Sequence, residues 1–425
     1  MKFLWVSNAP RAASGYGSQT RQVARRLMAA GHEVEFSCND GTRGDGEWEG
    51  ALVRGSGLDR YSRDTVREDV DRSGADWVIV LYDPWVYTDR TPDPFAGMTN
   101  VACWTPVDHM PVSPALIPWL FDHSSIAMSQ FGHAQLADLS ARLKADKGHG
   151  FPLTYIPHAI EPVFRPTPVS DRFGKPFREA ADIPADAYVV GIVAANTGGI
   201  HYDRKGFGDM ITALGPFMDR HPDAFVYLHT LPVGAEGISL PVLLRMAGID
   251  EARVRWADAY MLKKQTIEDE ALAAIYSSFD VLLATSHGEG FGIPVIEAQA
   301  CGIPVIVSNC TAQPELVGEP WSADTQGARR EPSGWVIATE PDWNAKHGSW
   351  FARPSLGQIT LALEDAYAHK GDPEIRAAAI AKAAGYDADL VFDRYWLPYV
   401  ASLEASVERL NKAQAKRDRR KKVAA

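Results

Sequence analysis

Two blocks of short apolar runs alternating with helical stretches, separated by a proline-rich interval, constrain this chain more than anything else in it. Such alternation is the mark of strands buried under helices in an α/β arrangement. In the first block Lys2 to Ser7, Glu33 to Ser37, Trp77 to Tyr82 and Asn100 to Trp104 read as strands, and Gly17 to Ala30 reads as a helix ended by Gly31-His32. The second block opens with a strand over Tyr188 to Ala195. It continues through Gly206 to His221, Ala224 to Leu231, Leu240 to Ala247, Val254 to Trp256 and Asp280 to Ala284, with Gly334 to Ala338 as its last strand. Pro162, Pro166, Pro168 and Pro176 fall in a stretch without a clear period, which reads as the link between domains. The expected layout is a first domain over 1–160, a linker over 161–183, a second domain over 184–387, a helical segment to about 411 and a basic tail over 412–425. With 425 residues, 46% of them hydrophobic, there is material for two cores.

Glu289-Gly290-Phe291-Gly292-Ile293-Pro294-Val295-Ile296-Glu297 frames a glycine-rich turn with two carboxylates. The apolar run before it and the early proline after it place the glycines between a strand and a helix. Amide groups at a helix start are unpaired and carry partial positive charge, so this turn can receive an anion or a sugar hydroxyl. Glu289 stands at the mouth and Glu297 about one turn inside the helix. Two acceptor carboxylates on one ligand suit a polyol, and the whole string reads as a nucleotide-sugar clamp.

Ser286-His287-Gly288-Glu289-Gly290-Phe291-Gly292 through Glu297-Ala298-Gln299-Ala300-Cys301-Gly302-Ile303-Pro304-Val305-Ile306 resembles the signature of retaining family-4 glycosyltransferases. The resemblance implies the GT-B fold: two Rossmann-like domains facing across a cleft, with C-terminal helices crossing back to the first. The kinked aromatic stretch with Phe392, Tyr395, Trp396, Pro398 and Tyr399 suits that crossing and suits ordinary core packing equally well. It also implies a nucleotide-diphosphate-sugar donor, with Glu289 on the sugar hydroxyls, Glu297 on the ribose, and Gly290, Phe291 and Gly292 forming the donor-binding turn.

Function should collect in loops that follow strands. After the first strand comes Ala12-Ala13-Ser14-Gly15-Tyr16-Gly17-Ser18, where Gly15 and Gly17 bring backbone close to the cleft; in the family this loop lies beside the donor phosphates and the acceptor. Trp104-Thr105-Pro106-Val107-Asp108-His109-Met110-Pro111 resembles the first-domain histidine region. Either His109 touches the donor sugar with Asp108 orienting it, or Asp108 faces inward itself. Asp203-Arg204-Lys205-Gly206 matches the step whose cations neutralise the diphosphate. One departure stands out: where many members have a further arginine, this chain has Asn196, which would offer a neutral hydrogen bond instead. His158 reads as structural, and the base is expected near Trp256 to Tyr260 through backbone groups.

The implied reaction moves a hexosyl or related group to an acceptor hydroxyl with retention, by front-face displacement, without an essential metal or other cofactor. Two alternatives stay open: a sugar phosphorylase or epimerase on the same scaffold, and a non-catalytic nucleotide-sugar binding module. A glycan, a lipid-linked sugar, a protein hydroxyl or a modified nucleic-acid base could each be the acceptor. The net charge of −11 disfavours bulk binding to nucleic acid or anionic membrane, although Lys412 to Lys422 forms a basic tail that could touch an anionic partner. Four cysteines without metal-ligand spacing, no signal-like start and no apolar run of transmembrane length point to a cytoplasmic protein with free thiols.

Overall fold

Seventeen strands carry the architecture among the described residues. The computed structural model describes residues 1–88, 93–170, 172–197, 202–234, 236–321 and 327–424, excepting the side chains at 410, 411 and 413–424, so the basic side chains beyond Lys412 lie outside it. The first sheet comprises β1 (Lys2–Ser7), β2 (Glu33–Cys38), β3 (Gly46–Trp48), β4 (Ala51–Arg54), β5 (Trp77–Val80), β6 (Val101–Thr105), β7 (Ser124–Ala127) and β8 (Leu153–Tyr155). Their order is β3-β4-β2-β1-β5-β6-β7-β8, parallel except where β3 pairs with β4. Every residue of β5 and β6 is buried, as two-sided cover by helices requires of central parallel strands.

The second sheet comprises β9 (Tyr188–Val193), β10 (Ala224–His229), β11 (Val254–Trp256), β12 (Val281–Ala284), β13 (Val305–Ser308), β14 (Arg329–Glu331) and β15 (Gly334–Ile337), in the order β11-β10-β9-β12-β13-β15-β14. Only β14 runs against its neighbour. Gly334 to Ala338 is not the last strand, contrary to the sequence expectation. A hairpin of β16 (Thr339–Asn344) and β17 (Ser349–Pro354) follows it. Its residues are largely exposed or half-buried, so no apolar run announces it. Contacts with the first domain hold it: the Met110 and Trp350 amides each donate to the other's carbonyl, at 3.0 and 2.8 Å.

The interval between β8 and β9 is packed rather than free. It carries a short helix, Phe177–Ala180, and buries Phe164 and Phe177 in the main core. At the other end Ala388–Val391 leads through a π-helical turn, Phe392–Trp396, into the long helix Leu397–Ala424, with Pro398 at its second position. The wide turn is a recognised cause of a kink. The helices cross back to the first domain there: the Trp396 ring lies 5.7 Å from Trp5 and 5.0 Å from Trp104, and Arg26 pairs with Asp389 at 2.7 Å. One apolar cluster runs from Trp5 and Trp104 through Phe291 and Ile296 to Trp396, so both domains and the crossing helix share a core.

Candidate active site

In a doubly wound sheet a crevice opens where neighbouring strands send their chains in opposite directions, and ligands bind there. In the first sheet that point lies between β1 and β5, and in the second between β9 and β12. The four loops following those strands hold Ser14 to Gly17, Tyr82-Asp83, Asp203 to Gly206 and Ser286 to Gly292. Strand order therefore gathers segments far apart in sequence.

Glu289 is the centre of the second-domain half. Lys205 Nζ donates to its Oε1 at 2.7 Å, Ser286 Oγ donates to the same oxygen at 2.7 Å, and Arg204 Nη1 stands 3.3 Å from Oε2. Burial pushes this carboxyl up, but Lys205 and Arg204 more than offset it, leaving its pKa below the usual value. Lys205 goes the other way, lowered chiefly by burial against the pull of Glu289. Arg204 also donates to the Gly288 carbonyl at 2.7 Å and lies 3.5 Å from Asp108 Oδ2, so it joins the two halves of the cleft.

The approach of the halves is close enough to explain two glycines. A Cβ at Gly288 would collide with the Asp108 carbonyl oxygen, and one at Gly290 would come within 2.8 Å of Pro106. A side chain at either position would force the domains apart.

Asp108 and His109 resolve into separate roles. Asp108 Oδ1 is 2.7 Å from His109 Nδ1, while His109 Nε2 accepts from the Ser113 amide at 3.1 Å. A ring nitrogen that accepts an amide hydrogen is unprotonated, so the proton sits on Nδ1 and points at Asp108. Both His109 nitrogens are thus engaged inside the first domain, and the ring is only 4% exposed. Asp108 is the member that faces the cleft. Burial raises its pKa, but the His109 hydrogen bond and Arg204 carry it well below the carboxylate range.

Other expected residues are distributed unevenly. Glu297, on the helix Ile293–Ala300, is 8% exposed and accepts from the Tyr276 hydroxyl at 2.8 Å; burial, with Asp269 adding, pushes its pKa up to about 8. Gly15 and Gly17 open the helix Gly15–Ala29, whose start is capped by Ser14 accepting from the Gly17 amide at 3.1 Å. Two expectations are corrected. The Asn196 amide nitrogen donates to the Leu231 and Ile238 carbonyls at 3.1 and 2.8 Å, and its oxygen accepts from the Ile238 amide at 3.0 Å, so this side chain fastens a loop instead of facing a donor. The Phe291 ring is 3% exposed and packs edge-on against His158 and Tyr386, so its side chain belongs to the core and only its backbone can serve the donor-binding turn. His158, pushed down to about 3 by burial, is a neutral core ring, as expected.

Three residues were missed. Asp83 accepts from the Tyr16 hydroxyl at 3.2 Å, and burial together with Asp108 raises its pKa to about 6. His287 sits between Asp209 at 2.6 Å and the Tyr202 hydroxyl at 3.1 Å, tying the Glu289 turn to the helix Phe207–Arg220. Glu315 reaches from the second domain to accept from the Gln130 and Phe131 amides at 2.9 and 3.0 Å, capping the helix Gln130–Lys147 across the interface. The location of Asp83 just past an apolar strand was its available signal; Glu315 had none, because its partners lie 185 and 184 residues away.

Comparison with known proteins bears on the fold and on the second-domain turn. The fold is GT-B: the structure of the Anabaena protein HepE in complex with UDP and glucose superposes with a TM-score of 0.63 at 14% identity, over 95% of this chain and 100% of that one. Residues 244–339, which contain the Glu289 turn, match the model of the family described as glycosyl transferases group 1. An O-antigen chain mannosyltransferase B from Escherichia coli is 43% identical over 53 residues, 12% of this chain and 14% of its own length. A D-inositol 3-phosphate glycosyltransferase from Corynebacterium jeikeium is 30% identical over 178 residues, 41% of this chain and 40% of its own. The matched part therefore spans less than half of these curated relatives. No helix among the described residues is long and apolar enough to cross a membrane.

Proposed function

We propose that this chain transfers a glycosyl group from a nucleoside-diphosphate sugar to an acceptor hydroxyl with retention of configuration. The observation that carries the reading is the Lys205–Glu289–Arg204–Asp108 chain across the cleft, with the Glu289 turn opening a helix. The donor diphosphate lies against Arg204, Lys205 and the turn amides, where the charge of the departing group is met by groups already in place. Glu289 takes hydroxyls of the donor sugar, and Glu297 takes the ribose. Gly15 keeps the opposite wall close, a Cβ there coming within 3.2 Å of Ile293, whereas Gly17 faces the Ala12 carbonyl of its own loop and not the donor wall.

In the front-face route the bond from the anomeric carbon to the phosphate oxygen breaks as the bond to the acceptor oxygen forms, and the acceptor proton passes to that phosphate oxygen. His109 acts through Asp108, holding its carboxylate towards Arg204, and is a positioning residue. Arg204 and Lys205 supply the charge that a metal would otherwise supply, so EDTA is expected to leave the rate unchanged. Four buried free thiols suit a cytoplasmic setting.

Melting of the protein against a panel of nucleoside diphosphates and their sugars tests the reading, since a ligand bound only by the folded state raises the melting point. A selective shift for one base and one sugar supports it. A shift with release of free sugar or sugar phosphate and no transfer would favour the phosphorylase reading instead, and no shift with any member would end the transferase reading.

A further inference from the structure

Asp83 faces two ways. On one side it is within the field of Asp108 and Arg204, and on the other it lines a first-domain cavity of about 460 Å³. Ligand pockets commonly span roughly 300–1,000 Å³, so this one has room for a small ligand beside the reaction centre. Tyr61, Tyr82 and Trp85 line the same cavity. Tyr61 meets Tyr82 at 5.9 Å and Trp85 at 5.5 Å, both edge-on, which holds the three rings at fixed angles. The β16–β17 hairpin reaches over from the second domain and sets Lys346 6.0 Å from the Trp85 ring.

The charges of the lining decide what chemistry fits. Asp40 accepts from the Ala9 and Thr42 amides, and Asp59 is held by Arg63 and the Tyr61 amide. Arg43 donates to the Gly57 carbonyl, and Arg60 pairs with Glu236 across the cleft at 3.4 Å. Asp83 uses one oxygen for Tyr16, and its Oδ1 has no hydrogen-bond partner among the described residues. The lining sets three carboxylates against two guanidinium groups, with Arg63 on Asp59 and Lys346 beside Trp85 bringing further positive charge, and it leaves one carboxylate oxygen open beside the reaction centre. A phosphate ester would sit against Asp83 with Asp108 behind it. A neutral ring with hydroxyls finds faces to stack on and an acceptor to donate to.

We infer that this cavity is the acceptor subsite and takes a neutral saccharide or other uncharged polyol, with Asp83 accepting a hydrogen bond from a hydroxyl next to the one that will be glycosylated and Trp85 stacking on the ring. The inference rests on the transferase reading and extends it to the substrate class of the first-domain half.

The test uses the full chain. Melting shifts with UDP and GDP first establish nucleotide binding. Then, at saturating nucleotide, saturation-transfer NMR follows methyl α-glucoside, maltose and myo-inositol against glucose 6-phosphate and myo-inositol 1-phosphate. The expected result is saturable binding of at least one neutral compound, about tenfold tighter than its phosphate ester. Trp85→Ala should weaken that binding about tenfold while leaving the nucleotide shift unchanged. Trp85→Leu keeps apolar volume without an indole face and serves if the alanine variant does not fold. Tighter binding of the phosphate esters, no saturable binding of any neutral compound, or unchanged affinity in a folded Trp85 variant would each overturn the proposal. Absence of any nucleotide shift would instead defeat the transferase reading beneath it.

Discussion

The two walls of the cleft are built differently. The second-domain wall is built from two loops of one domain: Ser286 and Glu289 are three residues apart, and Lys205 and Arg204 meet them from a loop 84 and 85 positions away. The first-domain wall takes Tyr16, Asp83 and Asp108 from loops after three different strands, and Lys346 from the other domain. The first wall keeps its geometry through hydrogen bonds within its own domain, whereas the second, made from more separate loops, depends on the sheet and on domain closure. The reading of the cleft places donor chemistry on the first kind of wall and acceptor choice on the second.

Removing the centre of the second-domain wall is the sharpest way to test that division. Glu289→Ala should lower transfer by about two to three orders of magnitude while nucleoside diphosphates still raise the melting point, because the cations and turn remain. Steady-state kinetics and melting curves on one preparation check it. Retained transfer would break the assignment. Arg204→Ala should lower kcat/KM by about a hundredfold and also weaken the nucleotide shift, since this side chain serves both walls.

A smaller effect should come from the first-domain wall. Asp83 carries a pKa raised to about 6, so it is protonated below that pH and ionised above it. If it must be ionised to hold the acceptor through a neighbouring hydroxyl, transfer rises with pH through about 6, by roughly tenfold per unit on the acid side, and Asp83→Asn flattens this limb. An unchanged acid limb in the variant would remove Asp83 from the acceptor side.

The smallest effects concern closure. Glu315 is 1% exposed, and burial raises its pKa from 4.5 to about 7 despite the Gln130 and Phe131 amides and Lys382. A carboxyl whose folded pKa lies above its unfolded value binds its proton more tightly when folded. Its contribution is complete below about pH 4.5 and is lost as pH rises to about 7. Denaturant titrations from pH 4.5 to 7 should show stability in wild type falling relative to Glu315→Gln, by of order 1–3 kcal/mol. A constant difference between the two would show that this cap does not titrate. Phe291→Ala belongs to the same class: it should cost about 3–5 kcal/mol of stability by emptying a core site, with the donor KM of the folded fraction unchanged.

The strands and the carboxylate turn were legible because each depends on a few consecutive residues. Val254–Trp256 and Lys2–Ser7 form over the bounds expected from their own residues. Asn196 and Phe291 were misread for one shared reason. Each sits inside a stretch that borders the cleft, and position in a motif does not say whether a side chain turns towards ligand, loop or core. The hairpin β16–β17 escaped because its strands pair with each other and leave most of their residues exposed or half-buried, so no apolar period marks them.

By itself the sequence determined the alternation of strands and helices in two blocks, the glycine turn between Glu289 and Glu297, and the Arg204-Lys205 pair, since all of these are set by neighbours in the chain. Tertiary structure alone decided that Asp108 and not His109 faces the cleft, that Asp83 joins it, and that Glu315 caps a helix of the other domain. The physical reason is that a titratable side chain takes its role from the charges and donors brought around it, and here strand order and domain closure bring them from distant residues, for Glu315 from 185 positions away.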